Sequence, residues 1–132
     1  IQAAFLAVKL PHLERMNVER RRIAQRYLEE INNPEVVLPF IPDYAVPVWH
    51  IFGIRCQRRE NLEKFLNDSG ISTNKHYPIP IHLQDCYKEL GFKKGDFPIA
   101  EEISATELSL PMYYGMTDEE IQYVIDKVNE FK

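Results

Sequence analysis

The segment from Gly70 to His82 reads GISTNKHYPIPIH and holds the side chains best suited to chemistry: His76, Tyr77 and His82, beside Lys75. Imidazole and phenol are hydrogen-bonding groups, and the imidazole can act as donor or acceptor. Pro78 and Pro80 fix the backbone and remove amide donors, so the segment can hardly continue a helix or a central strand. It reads as a stiff, polar and aromatic connection that presents its side chains from a defined position, as binding loops do. The competing reading is a surface turn with a ring packed on Pro78 or Pro80.

Other chemistry is weaker. His82 is placed to cap a helix beginning near Gln84, and His50, among apolar residues, reads as a hydrogen-bonded core histidine. His76, His82, Asp85 and Cys86 are suitable metal-ligand types, but their spacing matches no zinc pattern, so no metal site is assigned. A Schiff-base lysine needs a lowered pKa and a fixed position. Nothing in the sequence suggests burial of Lys75, which reads as a solvated lysine. No Gly-rich phosphate cradle is present.

The elements that must position this loop follow from apolar spacing. Leu13, Met16, Ile23, Tyr27, Leu28 and Ile31 form one helical face, with Pro11 tolerated at its first turn. Ile1 to Lys9 reads as the tail of another helix, and the chain, opening without Met in an apolar pattern, reads as a piece of something larger. Arg20, Arg21 and Arg22 are expected on the solvated side. Residues 32–47 carry four prolines (Pro34, Pro39, Pro42 and Pro47) and form an extended connection. Val48 to Cys56, rich in β-branched and aromatic residues, reads as a strand covered on both faces or nearly so.

Arg59 to Asn67 reads as a helix with Leu62, Phe65 and Leu66 inward and Gly70 as its terminating glycine. A short strand is expected over Ile71 to Thr73. Gln84 to Leu90 reads as a short helix closed by Gly91. Phe97 to Ala105 reads as another, with Asp96 as N-cap and Pro98 in the first turn. Leu108 to Pro111 is a short strand. Thr117 and Glu120 make a capping box for a last helix whose inward face is Ile121, Val124, Ile125, Val128 and Phe131. The alternation gives a small α/β sandwich.

Composition narrows the class. The chain has 132 residues, 45% of them apolar and 27% charged, as expected of one soluble domain. A net charge of −4 argues against a nucleic-acid surface. No apolar run is long enough for a membrane span. Cys56 and Cys86 form no disulfide framework and read as reduced, cytoplasmic thiols.

Four blocks carry a resemblance. Ile1 to Ala4 with Leu6, Val48 to Phe52 ending in Ile54 and Arg55, Gly70 to Thr73 followed by His76 to His82, and Leu108 to Met112 followed by Thr117 to Glu120 resemble, in order and spacing, the C-terminal small domain of the DegT/DnrJ/EryC1/StrS sugar aminotransferases. The loop block is the specific one. Pro11 departs from a helix usually continuous there, and Tyr113-Tyr114 replaces a position where the family often has proline.

The resemblance implies the small-domain αβ sandwich of an aminotransferase fold type I enzyme: a short, mostly antiparallel sheet with helices packed on it, preceded by a long helix. Residues 1–31 would be the interdomain helix, 32–47 the proline-rich connection and 48–132 the αβ core. It implies pyridoxal phosphate (PLP) in the intact protein, with no cofactor expected on this segment alone. It further implies amino transfer, from glutamate as donor, to a keto-sugar nucleotide in a homodimer.

His76 and Tyr77 match positions that contact sugar or phosphate in such enzymes. No catalytic, cofactor-binding or metal residue is expected within this chain. A PLP-dependent sugar dehydratase of the same family, and a free-standing non-catalytic α/β binding domain, stand as the alternatives.

Overall fold

A computed structural model describes residues 1–132. The chain opens with α1 (Gln2–Lys9), a single 3-10 turn at Leu10–His12 and α2 (Leu13–Glu30). Pro11 sits inside that turn, where its missing amide proton is least costly. Strand β1 (Val36–Val37) and strand β2 (Phe52–Cys56) follow, then α3 (Arg59–Asp68), two 3-10 turns (Ile81–Leu83 and Asp85–Leu90), α4 (Pro98–Thr106), β3 (Glu107–Leu110) and α5 (Asp118–Glu130). No helix is long and apolar enough to cross a membrane.

The sheet has the order β1-β2-β3 and is antiparallel throughout. Phe52 lies opposite Leu110, Gly53 opposite Ser109, Ile54 opposite Leu108 and Arg55 opposite Glu107. Successive side chains of a strand point to opposite faces. One face therefore carries Phe52, Ile54, Leu108 and Leu110, all buried with Ile23, Tyr27, Leu62, Leu66 and the inner residues of α5. The other face carries Gly53, Arg55, Glu107 and Ser109, and receives the His76 loop.

The inward face of α5 is the set expected from spacing, all of it buried. Its capping box is complete: Thr117 Oγ1 accepts from the Glu120 amide at 3.2 Å, and Glu120 Oε2 accepts from the Thr117 amide at 2.8 Å. Helix α3 ends in a Schellman arrangement, with Ile71 N–H on Leu66 C=O (2.8 Å) and Gly70 N–H on Asn67 C=O (2.9 Å). Gly70 has φ +78°, a conformation that favours glycine.

Several expectations are corrected. The strand begins at Phe52 rather than Val48, because Trp49 adopts φ +51° and breaks the extended run. Its burial alternates, buried at Phe52, Ile54 and Cys56 and intermediate between, so only one face is fully covered. His50 consequently lies exposed and is not a core histidine. Ile71 to Thr73 form no strand; a single bridge joins Asn74 to Ser109. Residues 85–90 make a 3-10 turn, closed as expected by Gly91 at φ +74°.

Leu13 on α2 is exposed, whereas Ala24 is buried. The arginines are not simply solvated: Arg22 reaches Asp118 at 2.5 Å and Met116 C=O at 3.3 Å, tying α2 to the start of α5. Such exposed pairs add little stability individually. Both cysteines are free thiols, Cys56 buried and Cys86 exposed.

Asp96 is not the cap of α4; its carboxylate accepts from the Lys93 amide at 2.8 Å. Glu101, from within the helix, reaches back instead. Its Oε1 takes the Gly95 amide at 2.7 Å, the Phe97 amide at 3.5 Å and His82 Nε2 at 3.0 Å. His82 is thus a tether between the loop and α4, not a cap.

Replacing Thr117 with Ala removes one half of the capping box and is expected to cost about 1 kcal/mol in a denaturant titration. A second expectation concerns acid. The Gly95 amide, then His82 and the Phe97 amide, hold the Glu101 carboxyl below its ordinary value. A depressed carboxylate stabilises the fold above its unfolded-state pKa, and that stabilisation is lost as pH falls through the folded one. Glu101→Gln should therefore flatten the fall in denaturation midpoint between pH 7 and the acid range, measured against wild type.

Candidate functional site

The His76 loop is fastened to the polar face of the sheet. Asn74 exchanges backbone hydrogen bonds with Ser109, N–H to C=O at 3.2 Å and the reverse at 2.7 Å, so the loop takes the place of a fourth strand beside β3. Two residues on, the His76 amide donates to Glu107 Oε2 at 2.7 Å. Ser109 Oγ donates to Glu107 Oε1 at 2.5 Å, and His76 Nδ1 lies 2.8 Å from the same Oγ. Asn74 Nδ2 stands 3.3 Å from His76 Nε2. The Asn74 side-chain oxygen is occupied by the Lys75 amide at 2.8 Å.

Glu107 and Ser109 are both buried. Burying a carboxylate is costly unless its oxygens are hydrogen-bonded, and here both are. Space for it comes from Gly53: a Cβ added there would lie 3.0 Å from Glu107 Oε1.

Two depressions flank the loop. A small one of about 200 Å³ is lined by His50, Thr73, Asn74, His76 and Ser109, with Met112 at its edge. A larger one of about 630 Å³ is lined chiefly by apolar groups, among them Tyr77, Ile81, Tyr87, Phe92, Phe97 and Ile103. His76 is half-buried, whereas Tyr77 is 68% exposed at the mouth of the larger hollow. The two rings meet edge to face with centroids 5.3 Å apart. The two residues singled out from sequence thus open onto different hollows.

His82 is on the wall of the apolar hollow, its ring 4.8 Å from that of Phe97. No cluster of three or more His, Cys, Asp or Glu residues is arranged to hold a metal ion. Glu107, Ser109 and Asn74 escaped the reading of candidates by residue type. The available signal was an acidic residue opening an apolar strand, with a serine two positions later on the same face.

Lys75 is paired rather than solvated, with Nζ 2.6 Å from Glu63 and 3.1 Å from Glu60. Glu63 and then Glu60 raise its pKa, the opposite of what a nucleophilic amine requires. Lys64, Lys88 and Lys127 are held in local salt bridges, and Lys9, Lys93, Lys94 and Lys132 are exposed. The lysines of this chain therefore do not fit a covalent PLP site. What the geometry offers is recognition: a fixed imidazole, a free phenol and an apolar hollow.

Comparison with known proteins places the chain by sequence and by fold. The chain is 42% identical over 99% of its length to a pleiotropic regulatory protein of Geobacillus stearothermophilus, of which it covers 36%. It is 41% identical, again over 99%, to a dTDP-3-amino-3,6-dideoxy-alpha-D-galactopyranose transaminase of Aneurinibacillus thermoaerophilus, covering 36% of it. Its fold superposes on S. venezuelae DesV, solved in complex with a ketimine intermediate, with TM-score 0.94 and 37% identity over 98% of this chain and 35% of DesV. The chain spans about a third of the length of the curated relatives it matches. The model of the DegT/DnrJ/EryC1/StrS aminotransferase family matches residues 1–129. From its sequence and its fold alike, the chain belongs to the DegT/DnrJ/EryC1/StrS aminotransferase family.

Proposed function

We propose that this chain is the small domain of a PLP-dependent nucleotide-sugar aminotransferase and forms one wall of its substrate cleft. The observation that carries the reading is the His76–Tyr77 loop. It is locked to β3 through Asn74, Ser109 and Glu107 while its imidazole and phenol face two hollows. A prearranged loop loses little further freedom on binding.

The domain limits expected from sequence belong to the same proposal: residues 1–31 as the interdomain helix, 32–47 as the connection and 48–132 as the αβ core. The uncovered apolar side chains of α1 (Phe5, Leu6, Val8) support it, since exposed apolar clusters favour contact with another surface. In the intact protein PLP, held by residues outside this chain, supplies the electron sink for amino transfer. This chain's residues bind and orient the sugar nucleotide. Glutamate as donor, a homodimeric assembly and a cytoplasmic location complete the proposal; the free thiols accord with the last.

The test uses the full-length protein with a keto-sugar nucleotide. His76→Ala is expected to raise KM for the sugar nucleotide about tenfold, the value of one well-made hydrogen bond. Tyr77→Phe is expected to raise it less. Neither change should alter the half-reaction with the amino-acid donor. An unchanged KM in both variants would remove these two residues from the site.

A further inference from the structure

The hydrogen-bond chain behind His76 has a direction, and that direction sets what His76 offers a ligand. Glu107, as a carboxylate, only accepts. Its Oε1 takes the one hydrogen that Ser109 Oγ owns, at 2.5 Å. Ser109 therefore has only lone pairs left for His76 Nδ1, 2.8 Å away, and Nδ1 must carry the proton. In the neutral ring, Nε2 is then an acceptor. The neighbouring group agrees: the Asn74 oxygen is committed to the Lys75 amide, so Asn74 turns its NH2 toward Nε2.

We propose that Glu107, acting through Ser109, is a positioning residue that makes His76 Nε2 a hydrogen-bond acceptor, so that this corner of the cleft takes a neutral hydroxyl of the hexose and rejects a phosphate oxygen. The inference rests on the reading of His76 as a ligand contact. A sugar hydroxyl both donates and accepts. It can donate to Nε2 and accept from Asn74 Nδ2, inserting into a contact that is already long at 3.3 Å. A phosphate oxygen has no hydrogen to offer Nε2. Thr73, whose buried hydroxyl has no partner, lines the same depression of about 200 Å³. That is a further neutral group suited to a sugar. Gly53 is part of the device, because a side chain there would meet Glu107 Oε1.

The polarity can be reversed along the Glu107–Ser109–His76 relay, at the cost of the long contact between Asn74 Nδ2 and Nε2. In Glu107→Gln the amide oxygen still accepts from the His76 amide, while its NH2 donates to Ser109 Oγ. Ser109 then donates to Nδ1, and Nε2 becomes a donor. The experiment is calorimetric titration of the full-length protein with dTDP-glucose and with dTDP, for wild type, Glu107→Gln, Ser109→Ala and His76→Ala.

The preference for dTDP-glucose over dTDP should fall about tenfold in Glu107→Gln, and should fall also in Ser109→Ala, which cuts the relay by removing the hydroxyl that Glu107 Oε1 accepts from. Each titration is run below the melting transition of the variant used, so that a loss of stability in Glu107→Gln or Ser109→Ala does not enter the comparison. A preference retained in Glu107→Gln and Ser109→Ala but lost in His76→Ala would overturn this inference alone. A preference retained in His76→Ala would overturn the reading of His76 as a contact, and this inference with it.

Discussion

A carboxylate taken out of water must find a partner for each oxygen, and the arrangement of this domain turns on how Glu107 does so. Its two acceptors join β3, the His76 loop and the Gly53 position of β2 at one point. Removing one partner of such a buried group is far more damaging than the modest net worth of the bonds themselves. The loop is thereby held to one geometry, and the histidine side chain is given one role. A hydrogen-bonded carboxylate serves here as a clamp rather than as an acid or base.

That clamp works because the opposite face of the sheet is rigid. Phe52, Ile54, Leu108 and Leu110 are packed into a single cluster with residues of α2, α3 and α5. Tyr27 illustrates how the layers are pinned together. Its ring meets Phe52 edge to face at 5.1 Å, and its hydroxyl donates to Pro111 C=O at 3.0 Å. Burial pushes the Tyr27 phenol well above its ordinary range, so it stays a neutral donor. With β3 fixed from behind, the register that sets Ser109 opposite Gly53 cannot slip. A one-residue shift would exchange the apolar and polar faces.

Much of this was legible in the residues themselves. Apolar spacing marked α5 and the inner face of α3, and Thr117 with Glu120 marked where α5 begins, because capping and burial there are local and periodic. Tertiary features were less visible. Trp49 takes a left-handed conformation that no propensity of Trp announces, so the strand starts later and His50 becomes a surface group. Asp96 has the chemistry of an N-cap, but Glu101 reaches the Gly95 and Phe97 amides first. The candidate site was read as two residues and is built from five: His76 and Tyr77 stand out by type. Asn74, Glu107 and Ser109 gain their meaning only from strand pairing across more than thirty positions of sequence.

In the function proposed for it, the chain supplies recognition without the reactive amine. Its lysines are paired or exposed, and the one beside the loop is held protonated by Glu63 and Glu60. That division of labour makes the cofactor of the full-length protein the most direct test. The measurement is the visible absorbance of the purified full-length protein, followed on adding glutamate and then a keto-sugar nucleotide. A nucleotide-sugar aminotransferase is expected to show bound PLP, lose that absorbance with glutamate and regain it with the sugar nucleotide. A protein without cofactor absorbance, or with absorbance that neither substrate changes, would contradict the assignment.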